Sequence, residues 1–227
     1  MGENLHQGHR QRVKIRYLKE GLDAFADHQV LEMLLFYSVP RKDTNELAHK
    51  MLHEYGSLAG LFEAAPKDIA KKCGVSENTA ILVSLIPSLA RRYFQGKWGE
   101  KPVLSSTTTA GGYAISLFAG RTYECFYVIC LDAQNRVNCA ELVHEGTINE
   151  TPVYPRNIVE TALRHQANSI ILAHNHPGGS LNPSSADIDV TNRIKAAMEP
   201  ICIKVVDHII VAGDKFFSFT ERGLLGL

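Results

Sequence analysis

The chain has 227 residues, and its 24 Lys/Arg and 24 Asp/Glu cancel to a formal charge of +0. That balance gives no overall pull towards nucleic acid or an anionic membrane. Hydrophobic content is 45%, as in ordinary folded proteins, and no apolar run approaches the ~18 residues of a membrane span. The polar, basic start lacks the apolar core of a signal peptide, so a cytoplasmic protein is expected. The five cysteines (73, 125, 130, 139, 202) form no C-x-x-C pair, which suits reduced thiols better than disulfides.

Residues 6–19 carry five Lys/Arg and two His without an acid. They read either as a phosphate-binding arm or as a solvated basic helix face. Asp27 is placed to cap an apolar helix from Val30 to Tyr37, and Pro40 stops it. Asp43 or Thr44 starts a further helix that ends at Gly56. Helical pieces follow over 58–64, 66–73 and 77–94, with Pro66 suited to a first turn and Pro87 to a kink. Residues 66–85 resemble a helix-hairpin-helix, in which a tight turn aims backbone N–H groups at a phosphate. Ser76 stands where that turn usually has its second glycine, and Glu77 adds a negative charge beside it.

The glycine- and charge-rich stretch 95–102 breaks the helical pattern, so a domain boundary is expected near residue 100. Residues 1–100 then form a small helical domain, and 101–227 a second domain. There the pattern changes to strands alternating with helices. Ser105 to Thr109 can cap a helix over 110–117. A buried strand over 124–131 turns at 132–136 into a returning strand over 137–144. The odd positions of that second strand are Val137, Cys139, Glu141 and Val143. A carboxylate on that face needs compensation unless the strand lies at a sheet edge. A turn at Gly146-Thr147-Ile148-Asn149 precedes a helix opened by Pro155, a strand over 169–173, a helix after Ser184, and a hairpin turning at Gly213-Asp214.

The densest chemistry follows the strand at 169–173. His174, His176, Ser184 and Asp187 are spaced H-x-H-x7-S-x2-D. Residues i and i+2 of a strand face the same way, so both imidazoles can reach one point. The Pro/Gly loop from Pro177 to Pro183 lets the chain return, and Asp187 can add a third ligand from the next helix. Two imidazoles and a carboxylate form a ligand set for a catalytic zinc, with a fourth position left for water. Such a site needs a base and a donor to a tetrahedral intermediate; Glu141 can be the first, with Glu145 its rival, and Ser184 the second.

Glu141 with His174 to Asp187 resembles the JAMM (MPN+) metalloprotease motif. More narrowly, Gly146 to Asn149, Val153 to Arg156, His174 to Pro177 and Asp207 to Ile210 resemble the bacterial RadC family. The helical half and Gly8-His9-Arg10 are also similar to that family, so the likeness covers nearly the whole chain. The resemblance implies one zinc ion on His174, His176 and Asp187, Glu141 as general acid/base, and Ser184 as hydrogen-bond partner of the intermediate. It implies an α/β fold in which a helix-hairpin-helix-like domain precedes a cytidine-deaminase-like α/β/α JAMM/MPN domain. The expected activity is cleavage of a peptide or isopeptide bond in a peptide or protein substrate. The alternative is a DNA-associated accessory protein whose helical half binds nucleic acid and whose metal domain is mainly a scaffold; metal-assisted phosphodiester cleavage is a third reading. Asp207-His208 reads either as a locally bonded strand pair or as support for the metal ligands. Arg156 either starts a helix or binds an anionic group.

Overall fold

The computed structural model describes residues 5–40, 42–146 and 153–226. It divides into two compact units, Met1–Leu89 and Ala90–Leu227, and the division falls inside a helix rather than at the glycine-rich stretch near residue 100.

The first unit is helical. Its elements are α1 (Leu5–Glu20), α2 (Asp27–Leu35), α3 (Asn45–Tyr55), α4 (Leu58–Phe62), α5 (Pro66–Cys73) and the start of α6 (Glu77–Gly96). Asp27 is the first residue of α2 rather than its cap; Ala26 holds that position, and its N–H donates to Gln29 Oε1 at 3.2 Å. Glycines in the left-handed region end α3 at Gly56 and α5 at Gly74, where side chains with a Cβ are strained. Leu31, Leu35, Met51, Leu61, Ile69 and Val83 form the core of this unit.

Arg10, Arg16 and His9 of α1 are engaged within the unit. Arg10 Nη2 donates to the carbonyls of Val39 and Lys42, both at 2.7 Å. Arg16 donates to the Ala24 carbonyl at 2.5 Å, and His9 Nε2 lies 2.9 Å from the buried Glu32 carboxylate. In the α5–α6 hairpin, Ser76 Oγ accepts from the Thr79 N–H at 3.2 Å. The serine that replaces a glycine thus occupies one of the N–H groups a phosphate would need.

The second unit is a five-stranded sheet with helices on both faces. The strands are β1 (Cys125–Leu131), β2 (Val137–Glu145), β3 (Ser169–Asn175), β4 (Lys204–Ala212) and β5 (Lys215–Ser218), in the order β2-β1-β3-β4-β5. Only β3 and β4 pair in parallel; the other three pairings are antiparallel. β1 and β3 are buried at every position, which explains their nearly unbroken apolar sequences. β2 and β5 are the edges. On one face, α7 (Thr107–Phe118) packs Ala110, Ala114, Leu117 and Phe118 against Tyr127, Ile129, Ile171, Ala173 and Ile209. On the other, α8 (Pro155–Arg164) and α9 (Ser185–Met198) pack Ile158, Ala162, Val190 and Ile194 against Phe126, Val128, Ile170 and Leu172. Leu163, although at helical spacing with the apolar Val159, is 56% exposed. The Gly213-Asp214 turn links β4 to β5 as expected. Thr147, Ile148 and Asn149 of the expected turn lie outside the described residues. No helix among the described residues is long and apolar enough to cross a membrane.

α7 meets β5 at Gly111, where an added Cβ would overlap the ring of Phe216. Gly111→Ala should destabilise the second unit by about 1–3 kcal/mol, as overpacking does. Urea denaturation would measure this, and adding Phe216→Leu should recover part of the loss.

Candidate metal centre

The end of β3 and the first turn of α9 meet to form the centre. The run Ile170 to Ala173 buries on both faces, and the chain leaves the sheet at Asn175. His176 still donates its backbone N–H to the Val211 carbonyl of β4 at 2.8 Å, which keeps it in line with the strand. His174 and His176 therefore turn to the same side, as the i, i+2 spacing requires. Their Nε2 atoms are 2.9 Å apart. The third member comes from the first turn of α9. Asp187 Oδ1 is 3.2 Å from His174 Nε2, and Asp187 Oδ2 is 3.6 Å from His176 Nε2. All the ligand atoms of the three residues lie within 4.8 Å of one another.

Ser184 fixes the carboxylate. It caps α9, its Oγ accepting from the Asp187 N–H at 3.2 Å. Its backbone N–H and its hydroxyl both donate to Asp187 Oδ2, each at 2.7 Å. Serine and aspartate three residues apart thus form a reciprocal capping box. The hydroxyl expected to face a reaction intermediate is engaged with Asp187 in this structure.

The site is dry. His174 is 1% exposed and Asp187 2%. Burial pushes the Asp187 carboxyl up, but the adjacent imidazoles of His174 and His176 and the hydrogen bonds from Ser184 outweigh it and hold it well below the usual carboxylate range. Burial pulls His174 below the usual histidine range against the attraction of Asp187. The more open His176 is raised by its hydrogen bond to Asp187. His174 Nδ1 lies 2.8 Å from Nε2 of the buried His208, and His176 Nδ1 donates to the Ser180 carbonyl at 2.8 Å. Because that carbonyl only accepts, neutral His176 carries its hydrogen on Nδ1 and presents a bare Nε2 to Asp187 and His174. Converging nitrogens beside an ionised carboxylate suit a divalent cation that takes imidazole and oxygen ligands, zinc foremost.

Glu141 is not brought to this centre. It lies on β2, separated from β3 by β1, in register with Val128. Its Oε2 is 2.9 Å from His165 Nε2, and its Oε1 accepts from Arg164 at 3.1 Å. With Cys139 and His165 it forms a separate cluster. Spacing along one strand reported its face correctly but could not report its distance from β3. The rival Glu145 is 50% exposed at the side chain, and its Oε1 accepts from Arg121 at 3.1 Å and from the Tyr123 hydroxyl at 3.0 Å.

The acid near the ligands is Glu124. β1 runs antiparallel to β3 with Phe126 opposite His174, and continuing that register sets Glu124 opposite His176. Its carboxylate is close enough to favour protonation of both His174 and His176. Asn175, between the two histidines, holds this segment on either side. Its Oδ1 accepts from the Cys125 N–H at 2.7 Å, and its Nδ2 donates to the Tyr123 carbonyl at 3.0 Å. The sequence signal for Glu124 is an acid at the head of an otherwise apolar strand. That signal gains meaning only once β1 is known to pair with β3.

Asp207 and His208 divide their roles. Asp207 accepts from the Ser218 hydroxyl at 2.6 Å, the His208 N–H at 2.8 Å and the Thr220 N–H at 3.0 Å, which secures the chain after β5. His208 faces His174. Arg156 lies over the ring of Tyr154, 5.8 Å from its centroid. An apolar cavity of about 630 Å³ opens elsewhere in this unit, beside Trp98, Ile115 and Gly213, and no member of the centre lines it.

Two expectations test this geometry. Purified protein should hold about one zinc per chain. His174→Ala and Asp187→Ala should lose it while Glu141→Ala keeps it, as read by metal analysis after dialysis. Asn175→Leu, which strands the buried Cys125 N–H, should cost about 1–3 kcal/mol in thermal or urea unfolding.

Residues 104–224 match the RadC-like JAB domain family. A UPF0758 protein of Fusobacterium nucleatum subsp. nucleatum is 33% identical over 99% of this chain and 100% of its own length. A UPF0758 protein of Variovorax paradoxus is 37% identical over 94% of this chain and 96% of its own length.

Proposed function

This chain belongs to the RadC family, with a JAB-type domain of the JAMM superfamily, and from that premise we propose that it is a zinc-dependent hydrolase cleaving a peptide or isopeptide bond. The observation that carries the reading is the convergence of His174 Nε2, His176 Nε2 and the Asp187 carboxylate at a strand end beside Glu124. His174, His176 and Asp187 would hold the ion. Zinc, when bound, lowers the pKa of a water to about 7 and polarises the scissile carbonyl.

The chain's own residues supply the rest. Glu124 takes a proton from the attacking water and delivers it to the leaving nitrogen, the role first given to Glu141. Asn175 keeps Glu124 in place through the peptides on either side of it. Ser184 donates its hydroxyl to the oxyanion of the tetrahedral intermediate, which requires that hydroxyl to leave Asp187 Oδ2. Until then Ser184 holds the carboxylate in the orientation that the ligand set needs.

The substrate class rests on the family chemistry and on a ligand set with one carboxylate. For the helical unit, contact with DNA has less support than contact with protein. Arg10 and Arg16 are spent on carbonyls of their own unit, and Ser76 occupies an N–H of the α5–α6 hairpin.

A hydrolysis screen with peptide, isopeptide and DNA substrates tests the proposal. Glu124→Gln should keep its zinc and lose about 10²–10⁴-fold in kcat, whereas Glu141→Gln should remain active. Full activity in Glu124→Gln would remove it as the base, and metal-dependent cleavage of DNA alone would overturn the substrate class.

A further inference from the structure

His208 and Thr191 extend the centre away from the ligand atoms. His208 is fully buried on β4, and Thr191 is 1% exposed in the second turn of α9. Three short contacts join them to two of the ligands. Thr191 Oγ1 lies 2.5 Å from the Asp187 backbone carbonyl and 2.6 Å from His208 Nδ1. His208 Nε2 lies 2.8 Å from His174 Nδ1.

With His208 and His174 neutral, as their burial favours, the hydrogens along this line follow from donor and acceptor capacity. The Asp187 carbonyl has no hydrogen to give, so Thr191 must donate to it. A hydroxyl has one hydrogen, so towards His208 the Thr191 oxygen can only accept. His208 Nδ1 therefore carries the N–H. A neutral imidazole has only one, so His208 Nε2 is bare and accepts from His174 Nδ1–H. His174 is then the tautomer with no hydrogen on Nε2, the atom that faces Asp187 and His176. Reversing the line would put the Thr191 oxygen and the Asp187 carbonyl oxygen 2.5 Å apart with no hydrogen between them.

We propose that Thr191 and His208 are positioning residues that select the metal-binding tautomer of His174, with the Asp187 backbone as the fixed end of the line. The proposal rests on the reading that His174, His176 and Asp187 hold the zinc. Asp187 thereby acts twice: its carboxylate offers a ligand, and its carbonyl, four residues before Thr191, sets the hydrogen positions for another ligand. His176 needs no such device, because the Ser180 carbonyl fixes its tautomer directly. The pattern matches the general behaviour of metal-binding imidazoles, whose second nitrogen is held by an outer partner. Here the partner is a histidine, which can accept or donate, and a threonine is required to decide which.

The test uses the full-length protein and zinc alone. Zinc affinity is measured by competition with a chromophoric chelator for wild type, Thr191→Val, Thr191→Ser, His208→Leu and His174→Ala. In parallel, long-range proton–nitrogen NMR reads the His174 tautomer in the zinc-free protein. Thr191→Val is nearly isosteric and removes the deciding hydroxyl. It should weaken zinc by about 10–100-fold and mix the His174 tautomers, and Thr191→Ser should restore both. Wild type should show His174 protonated on Nδ1. Wild type that binds zinc no better than His174→Ala would overturn the metal centre itself. Wild type that binds zinc, with Thr191→Val matching it in affinity and tautomer, would overturn the relay and leave the centre standing. If His208→Leu unfolds, the Thr191 pair and the wild-type tautomer still decide the question.

Discussion

Burying the Asp187 carboxylate is the constraint on which the second unit depends. An isolated ionised carboxylate at 2% exposure is strongly disfavoured, so its surroundings must replace water as donors. Ser184 supplies two hydrogens to one oxygen, and the histidines lie beside both. Each of these neighbours comes from a different local cause. Ser184 is there because the helix needs a cap, and the histidines because β3 ends at that point. The capping box and the strand end must therefore meet, and the loop from Pro177 to Pro183 carries the chain between them. Gly179 supplies the positive φ that the turn of that loop requires.

The centre is a set of fixed dipoles arranged around a charge. Nearly every polar atom in it has a single available direction. A backbone carbonyl orients His176, a hydroxyl with one hydrogen orients His208, and an amide side chain spans Glu124. Such saturation makes the site rigid before any ligand arrives, which reduces the reorganisation that binding would require. Asparagine at 175 needs both an acceptor and a donor, which neither aspartate nor leucine provides.

Much of this was legible in the sequence where the geometry is local. The i, i+2 pair His174/His176 and the Ser184/Asp187 box depend only on strand pleat and helix cap, so spacing sufficed. Helix limits at Gly56, Pro66 and Gly74 followed from residues whose backbone preferences are strong. Glu124 was not legible in the same way. Its nearness to His176 depends on β1 lying between β2 and β3, a fact of strand order that no window along the chain contains. Strand parity pointed to Glu141, whose face is correct but whose strand is one position too far out. Arg10 shows the same limit in the first unit: a run of basic residues reads as solvated until the carbonyls of Val39 and Lys42 are placed beside it.

The shared helix α6 has a practical meaning for where the chain can be divided. The glycines near residue 100 look like a natural cutting point, yet the residues just before them pack with the second unit. Arg91 donates to the Ala119 carbonyl at 3.0 Å, and Trp98 meets Tyr113 edge-on at 5.6 Å while covering the α7 core. A fragment beginning at residue 101 leaves that apolar face bare and the Ala119 carbonyl without its arginine. One beginning at Ala90 keeps both, at the cost of opening α6 in its middle. The second unit thus carries aromatic packing, from Trp98 just after α6, that begins before residue 101.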